Sequence, residues 1–297
     1  MKYGIHFGHW GNYYDVQSIE KTIGQIKQTG ADSFEFFPTA AMLEGDKKGI
    51  YEFRALLKEY EMEPIFTFGY PQDWDILSED SSVREKAIRY LEKAIEGIGI
   101  LGGKKIGGIL YGNWPADYTR PPIEPEEKEK RIQRCVKVLK RIVKTAEMYD
   151  VTLSLEIVNR FEHFLINTVE EGKSICDRVD SKYCKLLLDC FHMNIEEDDI
   201  AQSIRNAKGY IGHFHVSEPN RKVPNRCSHI NWIEIGNALR ETGYEETVIL
   251  EPFYKFGGKQ GHDMRMWRDL DTDLSVEHRI LLAKQGIRYI REKFGGI

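Results

Sequence analysis

Short apolar runs, rich in β-branched and aromatic residues, alternate along the chain with longer segments whose apolar positions recur every three or four residues. The short runs fall near residues 2–7 (KYGIHF), 32–37 (DSFEFF), 63–69 (EPIFTFG) and 104–111 (KKIGGILY). Four more follow near 151–157 (VTLSLEI), 185–189 (KLLLD), 211–216 (IGHFHV) and 247–251 (TVILE). Between them lie helical patterns such as VREKAIRYLEKAIEGIGIL and RIQRCVKVLKRIVKTAEMY. Strand then helix, repeated eight times, predicts an α/β fold of the (β/α)8 TIM-barrel type.

An open doubly wound sheet also alternates strand and helix, but it often carries a glycine-rich phosphate turn after its first strand. Here Gly8-His9-Trp10-Gly11-Asn12 follows that strand and lacks G-x-G-x-x-G. Gly102-Gly103 and Gly107-Gly108 come before and within the fourth strand, where turns and close packing account for them. No stretch reads as a flexible linker, so residues 1–297 are expected to form a single domain. The charged run from Arg120 to Arg134 reads as a loop punctuated by Pro121, Pro122 and Pro125, then a helix start at Glu126 and Glu127, then a solvated face.

Charge and composition narrow the classes. The formal net charge is −5, which supplies no general field to attract nucleic acid. No run approaches the roughly 18 apolar residues that a membrane span requires. The N-terminus enters strand-like sequence without an export-signal pattern, which predicts a cytoplasmic address. Five cysteines, odd in number and without a C-x-x-C, are expected to be reduced thiols.

In such a barrel the active site lies at the C-terminal ends of the strands. Four consecutive strands end in residues able to bind a metal: Glu156, Asp189, His215 and Glu251. Strand period pairs them with Ser154, Leu187, His213 and Ile249 on one face, so all four can point inward together. Three carboxylates packed this closely repel one another unless a cation neutralises them, and one imidazole with three carboxylates suits Mn²⁺, Mg²⁺ or Co²⁺ better than a thiolate zinc site. The bland alternative, polar plugs in a barrel mouth, explains one such residue more easily than four. His213, one layer deeper, reads as a hydrogen-bonded interior histidine. His163, His229, His262 and His278 have no comparable context.

The motifs NRFE at 159–162, LDxFHMNIEE at 188–197, GHFHxxExNRKVP at 212–224, WxEIG at 232–236 and EPF at 251–253 resemble the D-tagatose 3-epimerase family, which includes the D-allulose (D-psicose) 3-epimerases. The resemblance runs over most of the chain in order and approximate spacing. It implies a barrel enzyme that uses Mn²⁺ or Co²⁺, one ion per chain, to invert carbon 3 of unphosphorylated ketoses. It further implies that Glu156, Asp189, His215 and Glu251 hold the metal, that Glu156 and Glu251 are also the acid/base pair, and that Glu162, His192 and Arg221 hold sugar oxygens. A homo-oligomer, dimer or tetramer, is implied as well. The chemistry agrees, because inversion through a planar enediolate needs a proton to leave one face and another to arrive on the opposite face.

Trp10, Tyr70, Trp114 and Phe253 suit the apolar walls of a sugar pocket. His6 stands where many members carry Tyr or Phe, and Pro219 and Asn225-Arg226-Cys227-Ser228-His229 also depart from the common pattern. His6 is expected to add a hydrogen bond near the substrate or else to serve as a wall without contact. Competing readings are an isomerase or epimerase of a phosphorylated ketose, a multi-zinc abasic-site nuclease on a related barrel, and a non-catalytic sugar-binding barrel. The first needs a phosphate grip beyond Arg221, Lys222 and Arg226; the second needs more histidine ligands and a basic face; the third is expected to lose one of the two glutamates.

Overall fold

The computed structural model describes residues 1–10, 19–71, 73–116 and 123–295. Gly11, Asn12 and the stretch from Arg120 to Pro122, named above, lie outside the described residues. Eight parallel strands close into a barrel in sequence order. They are β1 (Lys2–His6), β2 (Ser33–Phe36), β3 (Glu63–Phe68), β4 (Lys105–Gly108), β5 (Thr152–Glu156), β6 (Cys184–Asp189), β7 (Ile211–Val216) and β8 (Thr247–Leu250). Every residue of β2, β4 and β8 is buried, as expected of a parallel sheet covered on its outer face by helices.

The helices start and stop where local chemistry directs. The helix Ser81–Leu101 begins with the Asp80 carboxylate accepting the Ser82 N–H at 2.7 Å and ends at Gly102, whose φ of 99° suits a residue without a side chain. The helix Val169–Val179 opens on a capping box between Thr168 and Glu171. Pro125 is the first residue of the helix Pro125–Tyr149, and thus starts that helix instead of punctuating the loop before it. Its missing N–H has no intrahelical partner at that position in any case.

Two details aim side chains into the barrel. The fourth strand is shorter than the apolar run from 104 to 111 suggested, because the chain turns at Gly108. Gly107 belongs to tight interior packing: a Cβ there would lie 2.7 Å from the Leu187 Cδ1. Between β6 and β7, Leu186 pairs with Ile211 and Leu187 with His213, so the register slips by one residue at Gly212. That bulge puts His213 and His215 level with Leu187 and Asp189 and on the same face.

Candidate metal centre and active site

Glu156 ends β5, Asp189 ends β6, His215 is the second-last residue of β7 and Glu251 directly follows β8. One donor atom from each lies within 4.8 Å of all the others. The four are buried, so their charges interact in a medium poorer than water at screening them. Asp189 is fixed by a second duty. Its Oδ1 accepts the Phe191 N–H at 2.9 Å and caps the helix Cys190–Glu196, which leaves Oδ2 for the site.

Arg221 answers part of the negative charge. Its Nη1 donates to Asp189 Oδ2 at 2.7 Å and to Glu251 Oε2 at 2.8 Å. Its guanidinium carbon lies 3.7 Å from the centre of the Phe191 ring. The backbone of Arg221 is left-handed, with φ of 63°, at the end of a turn in which its N–H donates to the Glu218 carbonyl at 2.7 Å. Pro219 occupies the turn position where its fixed φ is favourable, which supports the presentation of Arg221. Glu218 also accepts from the Asn225 N–H at 2.9 Å and from the Ser228 hydroxyl at 2.5 Å, which anchors the unusual 225–229 segment.

The surroundings drive the two glutamates apart. Burial, assisted by the charge of Glu251, raises the Glu156 carboxyl above its ordinary value against the pull of His192. Burial would raise Glu251 too, but Arg221 and His215 outweigh it and hold that carboxyl well below the usual range. Burial acts to lower the His215 imidazole, yet Glu35 and Glu251 prevail and hold it well above the ordinary histidine value.

His215 Nδ1 lies 3.4 Å from Glu251 Oε2 but makes no hydrogen bond although it is buried. A cation would meet that nitrogen and neutralise the three carboxylates. The four residues therefore fit a divalent ion of the borderline-to-hard kind.

The residues expected to grip substrate join the same network. His192 Nδ1 accepts the Asn159 backbone N–H at 3.1 Å, while Nε2 lies 3.5 Å from Glu156 Oε1 and 3.2 Å from Arg221 Nη2. Glu162 accepts the Trp114 indole N–H at 2.8 Å and the Asn159 side-chain amide at 3.3 Å. On the other side, His6 Nε2 lies 3.8 Å from Glu251 Oε1, and the His6 ring packs edge-on to Phe253 at 5.7 Å. Tyr70 spends its hydroxyl on the Leu110 carbonyl at 2.9 Å, and the Trp10 ring packs edge-on against His9.

Sequence reading missed Glu35, Asn159 and Phe191. Glu35 is fully buried and accepts from His213 at 3.0 Å and His215 at 2.8 Å, which also confirms His213 as a hydrogen-bonded interior residue. An acidic residue inside the aromatic run DSFEFF was the available signal. Asn159 lies in NRFE and Phe191 in LDxFHMNIEE, where Glu162 and His192 carry the more evident chemistry.

A family model described as xylose isomerase-like TIM barrel matches residues 23–292. The chain is 34% identical over 296 residues to a D-psicose 3-epimerase of Enterocloster bolteae, covering 99% of this chain and 96% of the relative. It is 35% identical over 295 residues to a D-psicose 3-epimerase of Ruminiclostridium cellulolyticum, covering 98% of both. Among solved structures, a D-psicose 3-epimerase crystallised in the presence of D-fructose matches with a TM-score of 0.91 and 31% identity over 100% of both chains. A D-psicose 3-epimerase from Clostridium cellulolyticum H10 with D-tagatose matches with a TM-score of 0.91 and 32% identity over 99% of both.

Proposed function

The chain belongs to the D-psicose 3-epimerase family of xylose isomerase-like TIM barrels, and from that membership we propose a metal-dependent ketose 3-epimerase that inverts carbon 3 of a free ketohexose. It is an isomerase acting on sugars. The substrate is of the D-allulose/D-fructose or D-tagatose type, and the metal is one Mn²⁺ or Co²⁺ per chain, held by Glu156, Asp189, His215 and Glu251. The observation that carries this reading is the convergence of those four donors, two of them glutamates from strand ends set apart around the barrel.

When bound, the ion supplies Lewis-acid stabilisation of negative charge developing on the sugar's oxygens 2 and 3. The chain supplies the rest. Glu156 at the end of β5 and Glu251 after β8 reach the site from separate parts of the barrel rim, so that one can take the proton from carbon 3 on one face while the other delivers a proton to the opposite face. The reverse direction exchanges their parts. Arg221 and His192 offer N–H donors to hydroxyl oxygens, and Glu162 accepts from a hydroxyl. Trp114 and His6 complete the pocket wall. No described helix is long and apolar enough to cross a membrane. A cytoplasmic homo-oligomer, dimer or tetramer, of single-domain chains spanning 1–297 completes the proposal.

The test is turnover of D-fructose in heavy water by the Mn²⁺-loaded protein. The carbon-3 epimer should carry one deuterium at that carbon, and Glu156→Gln or Glu251→Gln should lower kcat by about 10²–10⁴-fold. An epimer that keeps the substrate's own hydrogen with no solvent label would indicate a hydride shift and overturn the two-base reaction.

A further inference from the structure

Glu35 lies in the middle of β2, between Phe34 and Phe36, and is fully buried. A carboxylate in such a place needs partners, and it finds both on one strand across the barrel. Its Oε2 alone receives the Nε2 atoms of His213, at 3.0 Å, and of His215, at 2.8 Å. An ionised carboxylate only accepts, so each of these nitrogens carries its ring proton. A histidine binds a metal as the neutral imidazole, having given up one of its two ring protons. With Nε2 protonated, Nδ1 of His215 keeps a free lone pair, and that atom faces Glu251 at 3.4 Å with no hydrogen bond of its own.

We infer that Glu35 is a positioning residue for the metal centre: by holding the Nε2 proton of His215 it fixes the ring tautomer and turns Nδ1 toward Glu156, Asp189 and Glu251. Such an outer partner sets both the orientation and the basicity of a histidine ligand. His213 has a supporting part. As a second donor to the same oxygen, it keeps the Glu35 carboxylate aimed at β7. The bulge at Gly212 is what brings both histidines to the inner face to meet it. Glu35, His213 and His215 also place ligand atoms within 4.8 Å of one another. A second ion there would compete for the same Nε2 atoms, so the stoichiometry of binding separates the two arrangements.

The inference rests on the metal reading of the main site, and the experiment keeps the two apart. Metal-free protein is titrated with Mn²⁺ and free ion is followed by electron paramagnetic resonance. Wild type should bind one ion per chain. Glu35→Gln, with circular dichroism matching wild type, should bind about 10–100-fold more weakly, because its amide can donate to Nε2 and move the ring proton to Nδ1. Unchanged affinity in the folded variant overturns the role of Glu35, as does a second ion in wild type that Glu35→Gln abolishes. Should Glu35→Gln fail to fold, the wild type still answers. Its Co²⁺ form should show one hyperfine-shifted, solvent-exchangeable imidazole N–H resonance, and absence of that resonance overturns the inference. Failure of wild type to bind either ion defeats the metal reading itself.

Discussion

Trp114 donates its indole N–H to Oε2 of Glu162 at 2.8 Å. The bond ties the segment after β4 to the segment after β5, and Asn159 holds the second oxygen of the same carboxylate at 3.3 Å. Trp114 is thus more than an apolar wall. Trp114→Phe keeps the wall and deletes the donor. A hydrogen bond to a charged group contributes about 1.5–3 kcal/mol, so kcat/KM should fall roughly tenfold or more. The loss should appear mainly in KM if Glu162 grips a hydroxyl equally before and during the reaction. Steady-state kinetics on a free ketohexose decide it, and an unchanged KM would show that Glu162 holds its place without Trp114.

Metal removal has two readouts. Chelation should abolish turnover, and Mn²⁺ or Co²⁺ should restore it. Binding to the folded state alone also adds about 2.7 kcal/mol of stability when the ion is at 100 times its Kd, so Tm should rise with added metal. In the metal-free protein Arg221 is the partner of Asp189 and Glu251. Arg221→Gln should therefore cost more stability without metal than with it, since a bound ion takes over part of the neutralisation. Equal losses in both forms would show that Arg221 and the cation do not share that task.

The barrel was legible because each strand reads as an apolar run and each long helix as a period of three to four, and both signals are local. Glu156, Asp189, His215 and Glu251 were legible for a related reason, since each closes an apolar strand with a residue type that such a strand does not need. Glu35 was not, because its meaning depends on β2 meeting β7 across the barrel, and a contact between residues 178 apart leaves no local pattern. The slip at Gly212 was hidden for the same reason: strand period alone cannot show a residue that pairs with nothing. Pro125 was misplaced by a single step, from loop to first helical residue, because proline serves both positions.

His6 tests specificity. Its Nδ1 accepts the Gly8 N–H at 3.2 Å, so its ring proton lies on Nε2, the atom that faces Glu251 at 3.8 Å. Burial lowers its pKa against the pull of Glu251 and Glu35, which keeps it a neutral donor at the edge of the site. His6→Tyr changes both the reach and the position of that donor. The order of kcat/KM among D-fructose, D-allulose and D-tagatose should change, and an unchanged order would remove the role given to His6. The same panel should favour free sugars over 6-phosphorylated ketoses, because a phosphate brings about −1.5 to −2 charges toward three acidic ligands.

His9 links stability to pH. Its Nε2–H donates to the Arg279 carbonyl at 2.8 Å, while the buried Nδ1 makes no hydrogen bond. A second proton would put a charge in that place with no acceptor, and burial pushes the imidazole down to about 4. The unfolded value is about 6.5, so between these limits the unfolded chain binds more protons than the folded one. The stabilisation from a neutral His9 is thus complete above pH 6.5 and is lost as the pH falls toward 4, at up to about 1.4 kcal/mol per pH unit. His9→Gln keeps an N–H for the Arg279 carbonyl but has no proton to gain. At pH 7 the variant should be the less stable protein in urea unfolding. At pH 4.5 the gap should have narrowed by about 2–3 kcal/mol, since the other titrating groups act alike in both proteins and cancel in the difference. A gap that stays constant from pH 7 to 4.5 would mean that protonation of His9 is not coupled to unfolding.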